Sequence, residues 1–147
     1  MATAHEQIDA SPEQVFAVLA DAETYADWVV GSDVIRAVDG HWPAVGSRFH
    51  HKVGVWPLRI RDHTEVLEAD PPHRLVIHAR ARPAGTAKVG FLLAPWEGGT
   101  YVTMIEVAGD RLSRLAINPL TDVLVHARNV ESLRRLKRIA ETGVFKP

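Results

Sequence analysis

An α+β fold is predicted for this chain: a curved antiparallel sheet of about six to seven strands around one long C-terminal helix. Three observations predict it. A strong helix start stands at Ser11. From residue 32 to 108 the chain alternates with period two and is broken at short intervals by turn residues. In the last third, apolar residues recur at three- and four-residue steps.

Residues 2–9 form a short first strand with weak alternation. Ser11 then offers an N-cap oxygen, Pro12 takes the first helical position where its missing N–H costs nothing, and Gln14 completes a capping box. Val15, Phe16, Leu19 and Ala20 share one face, so a helix covers 12–20. Asp21 caps a second short helix that carries Tyr25, Ala26 and Trp28 on it or just after it.

Strands follow at 33–38, 47–55, 58–68, 74–82, 87–96 and 100–108. The punctuation between them is Asp39-Gly40, the loop 42–46, Pro57, Asp70-Pro71-Pro72, Pro83-Ala84-Gly85 and Glu97-Gly98-Gly99. Short turns between consecutive strands make an antiparallel meander. In 47–55, Phe49, His51, Val53 and Val55 share a face opposite Arg48, His50 and Lys52. Leu58, Ile60, Asp62, Thr64 and Val66 share a face opposite Arg59, Arg61, His63 and Glu65. In 74–82, Leu75, Ile77, Ala79 and Ala81 oppose Arg74, His78, Arg80 and Arg82. For 100–108 two registers are open: Val102, Met104 and Glu106 inward, or Tyr101, Thr103, Ile105 and Val107 inward. One slip flips every side chain.

Pro119 marks a kink or the start of the last helix. Leu120, Val123, Ala127, Val130, Leu133, Leu136 and Ala140 are read as its apolar face. Arg128, Arg134, Arg135, Lys137, Arg138 and Glu141 are read as its outer face. Residues 120–142 span about 34 Å as a helix, much like a ten-residue strand at about 33 Å. One helix about 10 Å wide crosses a six-stranded sheet without filling its concave side. A gap lined by the inward side chains is the expected consequence.

Five stretches, in order, resemble the START/Bet v 1-like (SRPBCC) superfamily of polyketide cyclase/dehydrase and lipid transport type. They are ASPEQVFAVLAD with TYADW in 10–28, Val45-Gly46 before a strand, ADPPHRL at 69–75, EGGTYVTM at 97–104 and ESLRRLKRIAE at 131–141. The likeness covers essentially the whole chain. It implies a helix-grip fold, a curved sheet around a C-terminal helix with two short helices after the first strand. It also implies a deep apolar cavity and ligands such as lipids, sterols, polyketides or plant hormones. A minority of such proteins cyclise or aromatise polyketides.

Composition narrows the classes. At 147 residues one domain, 1–147, is expected, with enough chain to bury a real core. A net charge of −1 gives no bulk electrostatic attraction for nucleic acid. Without Cys there is no disulfide framework, thiolate metal site or Cys nucleophile. MATAHEQID lacks a basic region followed by an apolar run, and the longest apolar runs fall far short of the roughly 20 residues that cross a bilayer. A cytoplasmic location without stable membrane insertion is expected.

Eight histidines raise the question of a metal. His50 and His51 point to opposite faces of one strand, and neither H-E-x-x-H nor Cys/His spacing occurs, so no metal is expected. No G-x-S-x-G, G-x-G-x-x-G or P-loop is present, so no nucleotide cofactor is expected either. The candidate acid/base groups are His51, Asp62 and Glu106, each on a potentially inward face. As core residues they would be hydrogen-bonded; as cavity residues they would orient a ligand.

The expected ligand-binding set is Trp28, Phe49, His51, Ile60, Asp62, Thr64, Ile77, Phe91, Met104, Leu120, Val123 and Ala127. Tyr25 and Trp28 are read both as core and as the cavity mouth. The expected function is binding of a small hydrophobic or amphipathic molecule, a lipid, polyketide or aromatic metabolite, by a monomer or homodimer without a cofactor. The alternative is a polyketide cyclase/aromatase or dehydratase that uses the pocket acid/base groups. An interaction module working through the last helix or a sheet edge is a third class, and no residue points to it specifically.

Overall fold

The structure, a computed structural model, describes residues 1–55, 58–81, 85–110 and 119–143. Side chains are not described at 32–34, 36, 53–55, 58–59, 119 and 121. The expected break at Pro57, the turn at Pro83-Ala84 and the facing of Val53, Val55, Leu58, Arg59 and Arg82 lie outside the described residues.

The sheet has seven strands: β1 (Ala2–Ile8), β2 (Ser32–Asp39), β3 (Arg48–Val55), β4 (Leu58–Asp70), β5 (Arg74–Ala81), β6 (Gly85–Trp96) and β7 (Gly99–Ala108). Their order is β1-β7-β6-β5-β4-β3-β2, with every neighbour antiparallel. Strands β2 to β7 are therefore the expected meander, and β1 crosses to pair with β7. Between β1 and β2 lie α1 (Pro12–Leu19), a 3-10 turn (Ala22–Thr24) and α2 (Tyr25–Trp28). The long helix α3 covers Pro119–Thr142.

Local chemistry accounts for the joints. Ser11 Oγ accepts from Gln14 N at 3.2 Å and Gln14 Oε1 accepts from Ser11 N at 2.9 Å, which closes the capping box at the start of α1. Asp21 Oδ1 accepts from Glu23 N at 3.1 Å and starts the 3-10 turn. Trp96 pairs with Gly99 across a two-residue turn at Glu97 (φ 45°) and Gly98 (φ 82°), the positive pair that a type I′ hairpin needs. Gly99 itself begins β7, and a side chain there would run into the Ile8 carbonyl oxygen. Val66 pairs with Ile77 and Glu68 with Val76, so a bulge at Leu67 returns Ala69 to the core side.

The strand faces fall as the alternation predicts. Phe49, His51, Asp62, Thr64, Val66, Leu75 and Ile77 are buried. The open register of β7 is resolved: Val102 and Met104 are buried, and Glu106 follows them on the concave side. The core gathers Ile8, Val15, Leu19, Leu75, Leu93, Leu133 and Leu136, all from different elements or turns. The far end of α3 is tied to β1 and the residue after it. Lys137 Nζ donates to the Gln7 carbonyl at 2.9 Å, and Asp9 N donates to Glu141 Oε2 at 2.8 Å.

The facing of α3 departs from the expectation. Leu133 and Leu136 are fully buried, but Leu120 is 70% exposed, Val123 64%, and Ala127 is exposed too. The reason is helical phase. At 3.6 residues per turn each residue advances about 100°, so repeated three-residue steps rotate the stripe backwards by about 60° each. Over the thirteen residues from Leu120 to Leu133 this leaves the two side chains on nearly opposite sides of the helix. Val125, Asn129, Ser132 and Leu136, at steps of four, three and four, stay within one arc of about 60°. That is the face α3 turns toward the sheet.

Candidate ligand cavity

Between α3 and the concave side of the sheet lies a cavity of about 580 Å³. This is within the range of pockets that take drug-sized molecules. Its inner end is aromatic. Tyr25 and Trp28 from α2 have ring centroids 4.8 Å apart, and Tyr25 lies 4.8 Å from Phe49. Trp28 meets Phe91 edge-on at 5.8 Å.

Hydrogen bonds set these rings. The Tyr25 hydroxyl donates to the Leu19 carbonyl at 2.8 Å, and Trp42 Nε1 donates to the same oxygen at 2.9 Å. The unpaired carbonyl at the end of α1 thereby gains two donors. Trp28 Nε1 donates to Thr24 Oγ1 at 3.2 Å, and the Thr24 hydroxyl shares its proton between the Val18 and Asp21 carbonyls. Burial pushes the Tyr25 phenol far above its ordinary pKa, so the group stays a neutral donor.

Much of the sheet wall is apolar: Phe49, Ile60, Ile77, Val89, Phe91 and Met104 line it, with Ala79 and Ala87 opposite one another in register. Its polar members are His51, whose Nε2 is hydrogen-bonded to Thr64 Oγ1 at 3.0 Å, and Thr64, Arg80, Thr86 and Glu106. Phe49 packs against the His51 ring at 5.5 Å. The helix wall differs in kind. Val125 is its apolar member, and Arg128, Asn129 and Ser132 follow, with Asp122 at the rim. Ser132 Oγ accepts from Val30 N at 3.0 Å, which pins the chain after α2 against α3. Arg128 Nη2 donates to both Glu106 oxygens, at 2.5 and 2.7 Å, and Asn129 Nδ2 donates to Glu106 Oε1 at 3.2 Å.

Of the expected site residues, Trp28, Phe49, His51, Ile60, Thr64, Ile77, Phe91, Met104 and Glu106 line this one cavity. Asp62 does not. It is buried, and its carboxylate is engaged by His63, accepting from His63 N at 2.9 Å with His63 Nδ1 at 3.5 Å. Leu120, Val123 and Ala127 point to solvent for the reason of helical phase given above. Arg128, read as outer-face, is instead a rim residue held by Glu106. Asn129, Ser132 and Val125 were missed, because two of the three are polar and escape a search for apolar periodicity; their four-then-three spacing with Leu136 is the signal that finds them.

Chemically, Glu106 faces the cavity as a carboxylate already matched by a guanidinium, which suits it to charge balance rather than proton abstraction. Of the three candidate acid/base groups, His51 and Glu106 line the cavity, and His51 is hydrogen-bonded there to Thr64. Among the described residues no group of three or more His, Asp or Glu side chains is arranged to hold a metal ion. No described helix is long and apolar enough to cross a membrane.

Solved structures share this architecture. Protein CV1439 from Chromobacterium violaceum is 22% identical with a TM-score of 0.71, over 95% of this chain and 96% of that one. The Aha1 dimer from Colwellia psychrerythraea is 18% identical with a TM-score of 0.67, over 98% of each chain. DynU16, a protein in the dynemicin biosynthetic locus, is 18% identical with a TM-score of 0.66, over 97% of this chain and 47% of that one. At these identities the likeness establishes the fold. No curated protein matches the chain in sequence. The sequence model of one family, polyketide cyclase / dehydrase and lipid transport, matches residues 1–141. With the seven-stranded sheet, the long C-terminal helix and this match across the chain, the protein belongs to the polyketide cyclase / dehydrase and lipid transport family of the START/Bet v 1-like (SRPBCC) superfamily.

Proposed function

We propose that the protein binds a small hydrophobic or amphipathic molecule, a lipid, polyketide or aromatic metabolite, in the cavity between the sheet and α3. The observation that carries this is the void itself: about 580 Å³ bounded by Trp28, Phe49, Ile77, Phe91 and Met104. A concave pocket of this size, lined largely by apolar and aromatic side chains with a few polar groups, is the form small-molecule sites take. Burying about 250 Å² of apolar ligand surface at roughly 25 cal/mol per Å² contributes about 6 kcal/mol before association costs. A thermal-shift panel of fatty acids, sterols and fused-ring aromatics tests the reading. Stabilisation by at least one apolar ligand is expected, and a melting temperature unmoved by every member would overturn it.

A second reading, a cyclase/aromatase or dehydratase, draws on His51, which stands in the cavity beside Thr64. As general base it would need a ligand proton within hydrogen-bond reach of its ring. Its test is His51→Ala in a turnover assay with polyketide substrates, where undiminished turnover would remove His51 from the mechanism. The protein is proposed to act as a monomer or homodimer, the latter on the example of the Aha1 dimer from Colwellia psychrerythraea.

A further inference from the structure

We infer that copies of this chain associate head to tail, the acidic surface of α1 and α2 on one copy seated on the basic convex face of β3 and β4 on the next. This goes beyond a monomer or closed homodimer and is independent of the cavity reading.

Charge is divided unevenly along the chain. Residues 1–35 hold seven carboxylates and no Lys or Arg. All 17 Lys and Arg follow them, against the remaining 11 carboxylates. A net charge of −1 conceals this division.

The fold turns the division into two surfaces. Arg48, His50 and Lys52 of β3 and Arg61 and His63 of β4 alternate with the inward residues and so stand on the convex side of the sheet. The carboxylates beside them are already engaged. Glu65 lies 3.3 Å from Arg48 and 3.8 Å from Arg80, and Asp39 lies 2.7 Å from His50. Lys52 and Arg61 form no ion pair among the described residues, and they stand directly opposite one another across the two strands. Like charges so placed repel. An anionic surface laid over them relieves that repulsion.

The chain itself carries such a surface. Asp9, Glu13, Asp21 and Glu23 are exposed and Asp27 is half-buried, and none of the five forms an ion pair among the described residues. Their segment packs against α3, which covers the concave side, while the basic residues stand on the convex side. A copy therefore leaves its own basic face uncovered, and a second copy matches it in charge. Contact between two different surfaces leaves a free acidic surface at one end and a free basic face at the other, so assembly grows with concentration instead of closing at two. Exposed charges are screened beyond about 10 Å at 0.1 M salt, so the contact weakens as salt rises.

Sedimentation velocity over a concentration series, in about 20 mM and about 300 mM NaCl, provides the test. The native protein is expected to sediment faster with concentration in low salt and to lose that dependence in high salt. Lys52→Glu/Arg61→Glu and Glu13→Lys/Glu23→Lys, each with its melting temperature recorded to establish that it folds, are each expected to associate at least about tenfold more weakly. Their equimolar mixture is expected to pair within about threefold of the native affinity, because the first variant keeps the acidic surface and the second keeps the basic one. No association of the native protein in low salt overturns the inference, and so does association that high salt leaves unchanged. A folded variant that associates as the native protein does, or a mixture of folded variants that stays apart, overturns it as well. Should one variant not fold, the native salt series and the other variant still decide. Ligand binding is unaffected by any of these outcomes, so the cavity reading stands or falls separately.

Discussion

Trp28 is fully buried and also forms part of the cavity wall, so packing and binding meet in one side chain. Its ring is held by Tyr25 and Phe91 on two sides and by the Thr24 hydroxyl at its nitrogen. Trp28→Ala is expected to cost about 3–5 kcal/mol in urea unfolding, as large aromatic truncations do. Trp28→Phe, which keeps the ring contacts and gives up the bond to Thr24, is expected to cost clearly less. His78, on the other face of the sheet, offers a pH test. Its Nε2 is buried without a hydrogen-bond partner among the described residues. Burial lowers its pKa below the ordinary 6.5, and Arg80 and Lys88 lower it further against the opposing pull of Glu65 and Asp110. The unfolded chain therefore takes the proton first. Stability at this site is complete above about pH 6.5 and falls as pH drops below that value, until the folded state is protonated as well. His78→Gln is expected to flatten the stability profile between about pH 7 and 5, as read from urea midpoints; an unchanged slope would contradict the assignment.

At the scale of elements, α3 is where sequence and structure part. Its buried half, Leu133 and Leu136, was legible as an apolar stripe, and so were the capped start of α1, the hairpin at Glu97-Gly98 and the inward faces of β3, β4 and β5. Period-two alternation reports a strand's face directly, because each step is half a turn. A helix is less forgiving: a chain of three-residue steps passes for one face over a turn or two and then drifts around the axis. The β7 register stayed open because both of its faces carry apolar residues, so nothing in its alternation chooses between Met104 and Ile105. The polar residues that α3 brings to the cavity were illegible for a related reason. Asn129 and Ser132 matter by position, and a count of hydrophobic residues discards them. The helix assignment has its own test. Leu133→Ala and Leu136→Ala are each expected to lose about 2–5 kcal/mol, whereas Leu120→Ala and Val123→Ala should stay within about 0.5 kcal/mol, all read by chemical denaturation. Equal losses at both ends of α3 would show that its first turns are buried after all.

At the scale of the whole molecule, one sheet threads residues 2 to 108 and α3 closes over its concave side, tied to β1 by Lys137 and to the segment after α2 by Ser132. Elements from both ends of the chain share one core, so we expect residues 1–147 to unfold as a single cooperative domain, with one calorimetric transition whose van't Hoff and calorimetric enthalpies agree. Cavity and core are built from the same strands, which means that the void can be filled without dismantling the fold. Ala79 and Ala87 are small, opposed and part of the cavity lining, and Ala79→Phe places a ring in the space a ligand would take. The most direct measurement of the central claim is titration of the apolar dye 1-anilinonaphthalene-8-sulfonate into native protein and Ala79→Phe, followed by fluorescence. The account predicts one saturable site on the native protein, weakened at least about tenfold in a folded Ala79→Phe variant. Equal binding by the two proteins, or no binding by the native one, would contradict it.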